Sequence, residues 1–120
     1  MSRPFLPLST LDDLDRAILA SSTRPILIFK HSPSCGTSAM AHEELSDVLD
    51  NDLEPLPADV YLVHLQAARD VSAEITHRFH VRHESPQVLL IKNGTVVWHA
   101  SHFRATAANI RATLGRFTVA

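Results

Sequence analysis

The chain has 120 residues, of which 45% are apolar and 20% charged, enough to bury one core without disulfide or metal staples. Its net charge of −2, with both signs scattered, excludes the basic stripe of a nucleic-acid or anionic-membrane binder. No apolar run approaches the roughly 20 residues of a bilayer span, and the single cysteine leaves the fold independent of an internal disulfide.

The opening stretch, MSRPFLPLST, carries two prolines and no long apolar centre. It does not read as a signal peptide, so a cytoplasmic location is expected. Phe5 to Leu8 suits a short edge strand. Ser9 or Thr10 is placed to cap a helix whose first turn is favoured by Asp12 and Asp13. Leu11, Leu14, Ala17 and Ile18 recur at helical spacing and give that helix one buried face, ending near Ser21 or Ser22. Ile26 to Phe29 is a continuous apolar run bounded by polar residues, as in a strand covered on both faces.

The strand gives way to the polar turn SPSCGTS, and the turn leads into a helix with Ala41, Leu45, Val48 and Leu49 toward the core. Cys35, the lone cysteine, stands where that helix begins. Backbone N–H groups there lack intrahelical partners, and the helix dipole adds partial positive charge. A thiol so placed is biased toward thiolate, the form that attacks disulfides. The alternative is an inert core cysteine, which the polar turn disfavours. Ser38 completes a Cys-x-x-Ser motif. It is either a helix-surface serine or a hydroxyl donor to the Cys35 thiolate. A serine in this place cannot close an internal disulfide, so a mixed disulfide with a small thiol would persist until an external thiol arrives. His31, just before the turn, is a candidate modulator of the thiol pKa if protonated or donating a hydrogen bond.

Beyond the prolines at 55 and 57, Val60 to Leu65 is a second apolar strand. Asp70 is placed to cap a helix with Val71, Ile75 and Phe79 on one face. Gln87 to Lys92 and Thr95 to His99 flank Asn93-Gly94, the strongest short hairpin signal. A last helix from about Thr106 places Ala107, Ile110, Leu114 and Phe117 on one side. His77, His80 and His83 invite a metal, but no cysteine or carboxylate completes a convincing local ligand set, and no metal site is expected. Trp98 and Phe103 read as packing residues.

The order is thus helix, strand, helix, strand, helix, hairpin, helix. A β-α-β unit supplies parallel strands through a right-handed crossover, and the hairpin adds antiparallel ones. The expected architecture is a single α/β domain over residues 1–120 with a thioredoxin-like fold, a central mixed β-sheet flanked by helices on both faces. Its site is expected at the C-terminal end of a central strand.

FKHSPSC followed by Ser38, the pair Glu43-Glu44, and VSAEITHRFHVRHESPQVLLIKNGTVVWHASHF resemble the monothiol bacilliredoxins, thioredoxin-fold proteins of the bacillithiol redox system. The resemblance runs from Leu11 to Ile110. It implies removal of bacillithiol, a small cysteine-containing thiol, from mixed disulfides on proteins. It also implies that Cys35 is the nucleophile, Ser38 the paired serine and Pro86 a cis-proline after Ser85. Gly36, Thr37, Ser85 and Pro86 are then the substrate-binding candidates, with the Ser85 backbone free to pair with an extended substrate. The family pattern commonly has Pro-Ile where Gly36-Thr37 stands here. That difference makes the motif similar to the Cys-Gly-Phe-Ser of monothiol glutaredoxins and leaves the physiological small thiol open.

The leading expectation is therefore a monothiol thiol–disulfide oxidoreductase. Its partners are S-thiolated proteins and a low-molecular-weight thiol, bacillithiol or similar, acting as cosubstrate without a tightly bound cofactor. Two alternatives remain: an iron–sulfur cluster binding module shared between subunits, and a redox-silent thioredoxin-fold adaptor. Thiolate arithmetic says which step would benefit from a low pKa. Lowering a free-thiol pKa from about 8.5 to about 6 raises the ionised fraction at pH 7.4 roughly thirteenfold, but costs about as much in nucleophilicity. What remains is the better leaving group, which a protein with no resolving cysteine depends on.

Overall fold

The computed structural model describes residues 5–32, 36–50 and 56–118. Its elements in chain order are β1 (Leu6–Pro7), α1 (Leu11–Ala20), β2 (Ile26–His31), α2 (Gly36–Asp50), β3 (Asp59–His64), α3 (Arg69–Phe79), β4 (Gln87–Lys92), β5 (Thr95–Ser101), a short 3-10 turn (His102–Arg104) and α4 (Ala107–Thr118). The five strands form one sheet in the order β1-β3-β2-β4-β5. β2 runs parallel to β3 and antiparallel to β4, so the sheet is mixed.

Every residue of β2 is buried, because helices cover both sides of it. Side chains alternate across a strand, and the alternation divides the core in two. Leu27 and Phe29 pack with Leu45 and Leu49 of α2 and with Ile110 and Leu114 of α4. Ile26 and Ile28 pack with Leu14 and Ala17 of α1 and with Val71 and Ile75 of α3. This is the thioredoxin-like architecture, with a five-stranded mixed sheet between two helical layers.

Local chemistry explains the element ends. Thr10 caps α1: its Oγ1 accepts from the Asp13 N–H at 3.1 Å, and the Asp13 carboxylate accepts from the Thr10 N–H at 3.1 Å, a reciprocal capping box. Asn93 and Gly94 both adopt positive φ (53° and 73°), the geometry of a tight hairpin turn whose twist matches its strands. That turn is tied to the end of α1, because the Asn93 N–H donates to the Ser21 carbonyl at 2.9 Å and the Gly94 N–H to Ser21 Oγ at 2.8 Å. Ser21→Ala is expected to lower stability by about 1 kcal/mol, the net worth of one such bond. Urea unfolding would measure it, and an unchanged midpoint would show the tie to be inert.

Several expectations need correction. Asp70 lies inside α3 and does not cap it; the cap position is Ala68, and the Asp70 carboxylate accepts from the Val71 N–H. β3 begins at Asp59 and ends at His64, one residue earlier than its apolar run. Trp98 packs against the core, but Phe103 does not: it is 80% exposed, carried outward by the 3-10 turn after β5. The Phe117 side chain lies outside the described residues. Among the described residues no helix is long and apolar enough to cross a membrane.

Candidate active site

The end of β2 sends two polar side chains to opposite faces of the sheet. Lys30 faces the α1/α3 layer and His31 the α2/α4 layer, each following the alternation of the apolar residues before it. β2 and β4 pair Lys30 with Gln87, so the antiparallel register carries Pro86, the preceding residue, to the level of His31. His31, the first turn of α2 and the Ser85–Pro86 segment therefore meet at one end of the sheet. The Ser85–Pro86 peptide bond is cis, and the Pro86 carbonyl accepts from the His102 N–H at 2.9 Å, which ties this segment to the end of β5. Pro86 is buried, and Ser85 is half-buried with an Oγ that has no hydrogen-bond partner among the described residues.

Ser38 is fully buried, which overturns its reading as a helix-surface serine. Its Oγ accepts from the Ser32 N–H at 3.0 Å and lies 2.8 Å from His31 Nδ1. The proton between His31 and Ser38 has two arrangements. If Nδ1 carries it, His31 donates and the serine proton is free to serve another acceptor. If Nε2 carries it, Ser38 donates to Nδ1. The serine and the histidine thus act as one unit, and the histidine tautomer governs the serine donor.

His31 is 6% exposed, and its ring lies tilted against His42 with centroids 4.6 Å apart and meets His64 edge-on at 5.8 Å. Burial, with lesser contributions from His42 and His64, pushes its pKa down to about 4. The imidazolium reading of His31 is therefore corrected: at neutral pH the ring is uncharged, and only its hydrogen-bonding role remains. The sign of the linkage follows. Between the ordinary value of 6.5 and the folded value of about 4, the unfolded chain binds a proton that the native protein refuses. Stability is complete above about pH 6.5 and falls with acidification by about 1.4 kcal/mol per pH unit. We expect a loss of about 2 kcal/mol at pH 5 from this group. An NMR titration of the His31 ring with a midpoint near 6.5 would refute it.

Cys35 lies outside the described residues; in sequence it directly precedes Gly36, the first residue of α2. A Cβ placed on Gly36 would meet nothing within 4 Å, so packing does not demand glycine there. Thr37 lines a small cleft with Met40, Glu44, His102 and Phe103. Glu44 closes the far side, since its Oε1 accepts from the Ala107 N–H at 2.6 Å and occupies the N-terminus of α4. His77, His80 and His83 do not converge. His80 ends α3 in a left-handed conformation (φ 56°), and His83 turns to Lys30. The imidazole cluster around His31 escaped sequence reasoning because its members come from β2, α2 and β3. Lys30 directly follows the apolar run Ile26 to Phe29 and reads in sequence as its polar boundary, yet it is fully buried.

The family profile described as monothiol bacilliredoxin BrxC matches residues 6–110. The chain belongs to the monothiol bacilliredoxin family. Solved structures agree on the fold of this bacilliredoxin. A proposed oxidoreductase with a thioredoxin fold superposes with a TM-score of 0.77 at 28% identity, covering 92% of each chain. Thioredoxin of Fasciola hepatica gives 0.75 at 20% identity, over 93% of this chain and 98% of its own. Thioredoxin of Malassezia sympodialis gives 0.76 at 15%, over 99% and 96%. Family and fold together support thiol redox chemistry for this bacilliredoxin.

Proposed function

We propose that the protein is a monothiol thiol–disulfide oxidoreductase that removes a low-molecular-weight thiol, bacillithiol or similar, from mixed disulfides on proteins. The observation that carries this reading is the family match over residues 6–110, which spans the lone cysteine and its Ser38 partner. The Cys35 thiolate attacks the small-thiol sulfur, forming a Cys35–small-thiol disulfide and releasing the protein substrate as its thiolate. A second small thiol, as thiolate, then attacks that sulfur, forming the small-thiol disulfide and regenerating Cys35. The buried Ser38 fits a one-cysteine cycle, since a hydroxyl at that position forms no disulfide. Gly36, Thr37, Ser85 and Pro86 hold the substrate beside the sulfur. The small thiol is a cosubstrate, no tightly bound cofactor takes part, and the setting is the reducing cytoplasm.

Intact mass after incubation with oxidised bacillithiol and, separately, oxidised glutathione tests this reading. A single adduct that a free thiol removes is expected, and the larger rate names the preferred thiol. No adduct with either reagent would overturn it.

A further inference from the structure

Lys30 is fully buried, yet it makes no ion pair among the described residues. Its Nζ donates to Thr76 Oγ1 and to His83 Nδ1, each at 3.3 Å. Both partners are neutral: Thr76 passes its own proton to the Ser72 carbonyl, and a His83 ring that accepts at Nδ1 carries its proton on Nε2. Burying an ammonium ion is costly unless an anion faces it. Burial lowers the Lys30 pKa to about 8, which still leaves the charge in place at neutral pH.

Thr76 and His83 form part of the wall of a cleft of about 490 Å³, completed by Leu65, Arg69, Ser72 and Ala73. Arg69 is exposed and also makes no ion pair among the described residues. The polar groups lining the cleft are thus the Arg69 guanidinium, the His83 imidazole and the Ser72 and Thr76 hydroxyls, and the buried Lys30 ammonium lies behind Thr76 and His83 without lining it. Among the described residues no carboxylate lines it. It opens at the end of the sheet that carries His31 and Pro86, because Lys30 precedes His31 and His83 lies two residues before Ser85. On the opposite side of that end, Glu44 already fills the N-terminus of α4 and would repel an anion.

We propose that this cleft binds a carboxylate of the small thiol cosubstrate, with Arg69 and His83 as the recognising groups and the Lys30 charge, held behind Thr76 and His83, attracting the anion through space. The proposal rests on the thiol-transfer reading above and adds the orientation: the anionic end of the small thiol lies toward α3, away from Glu44.

The test compares two symmetric disulfide probes, anionic dithiodipropionate and neutral hydroxyethyl disulfide, by the rate at which each adds to the protein by intact mass. In Arg69→Gln the ratio of anionic to neutral rates should fall about tenfold from that of the natural protein, the scale of one charged hydrogen bond. In Lys30→Met it should fall severalfold through loss of a nearby charge. Arg69 is exposed, so Arg69→Gln keeps the test decisive if Lys30→Met does not fold. Separately, succinate, which has no thiol, should shift the NMR resonances of the His83 ring in the natural protein. Rate ratios unchanged in the folded variants, together with a His83 ring indifferent to succinate, would overturn the cleft while leaving thiol transfer intact. If neither probe adds to the protein, the thiol-transfer reading fails, and succinate alone decides: a shift at His83 supports the carboxylate site and no shift overturns it.

Discussion

Cys35→Ser is expected to reduce transfer from an S-thiolated protein to background, with no change in thermal midpoint. The chain has no second cysteine, so no other side chain can carry the mixed disulfide between its two halves. A serine hydroxyl ionises far above the range of a thiol, and the oxygen analogue of the intermediate does not form under the same conditions. The loss should also be complete for both small thiols, because it removes the reacting atom and not a recognition contact. Intact mass and a discharge assay read the result directly. Transfer above background in this variant would remove Cys35 from its proposed role. A large fall in midpoint would instead mark a cysteine that serves the fold.

Ser38→Ala carries the second large effect, and it falls on stability first. Removing the hydroxyl strands the buried His31 Nδ1 and takes one hydrogen bond from the half-buried Ser32 N–H, which contact the fully buried Oγ at 2.8 and 3.0 Å. An orphaned buried polar group costs about 1–3 kcal/mol, so the loss should be about 2 kcal/mol in urea unfolding. A surface serine would cost within about 0.5 kcal/mol, and a value in that range would contradict the buried unit. The thiol responds second. If the His31 tautomer frees the serine proton for Cys35, the alkylation midpoint rises by up to about one pH unit, equivalent to roughly 1.4 kcal/mol of thiolate stabilisation. A stability loss without that rise would assign Ser38 to holding His31 and Ser32 in place.

Most of the architecture was legible before any coordinates, for reasons local to each segment. α1 shows its helical stripe and cap in LDDLDRAILA after Thr10, and the capping box forms within four residues. The Asn93-Gly94 turn needs two residues at positive φ, which few dipeptides tolerate, so it declares the hairpin by itself. The mixed sheet follows from a β-α-β unit ahead of that hairpin, since crossover handedness leaves few alternatives. Asp70 misled because a carboxylate near a helix start suits both the cap and the first turn, and only backbone dihedrals separate them.

The site divides along the same line. The polar turn, the single cysteine and the Cys-x-x-Ser spacing are properties of consecutive residues, and the proposed chemistry rests on them. The state of the groups around it is set by partners distant in sequence. His31 is neutral because the fold buries its ring and β2, α2 and β3 bring His42 and His64 against it. Ser38 is buried because α2 turns that side against the end of β2, where the helical stripe alone left it open to solvent. Lys30 stands over Thr76 and His83 because α3 and the segment before β4 both return to the same end of the sheet, 46 and 53 residues further along the chain. Sequence by itself determined the elements, their order and the position of the thiol, since periodicity and turn chemistry act over a few residues. Desolvation and through-space charge act between groups that only the packed sheet and helices bring within a few ångströms, so tertiary structure alone decided which side chains are charged, buried or free to donate.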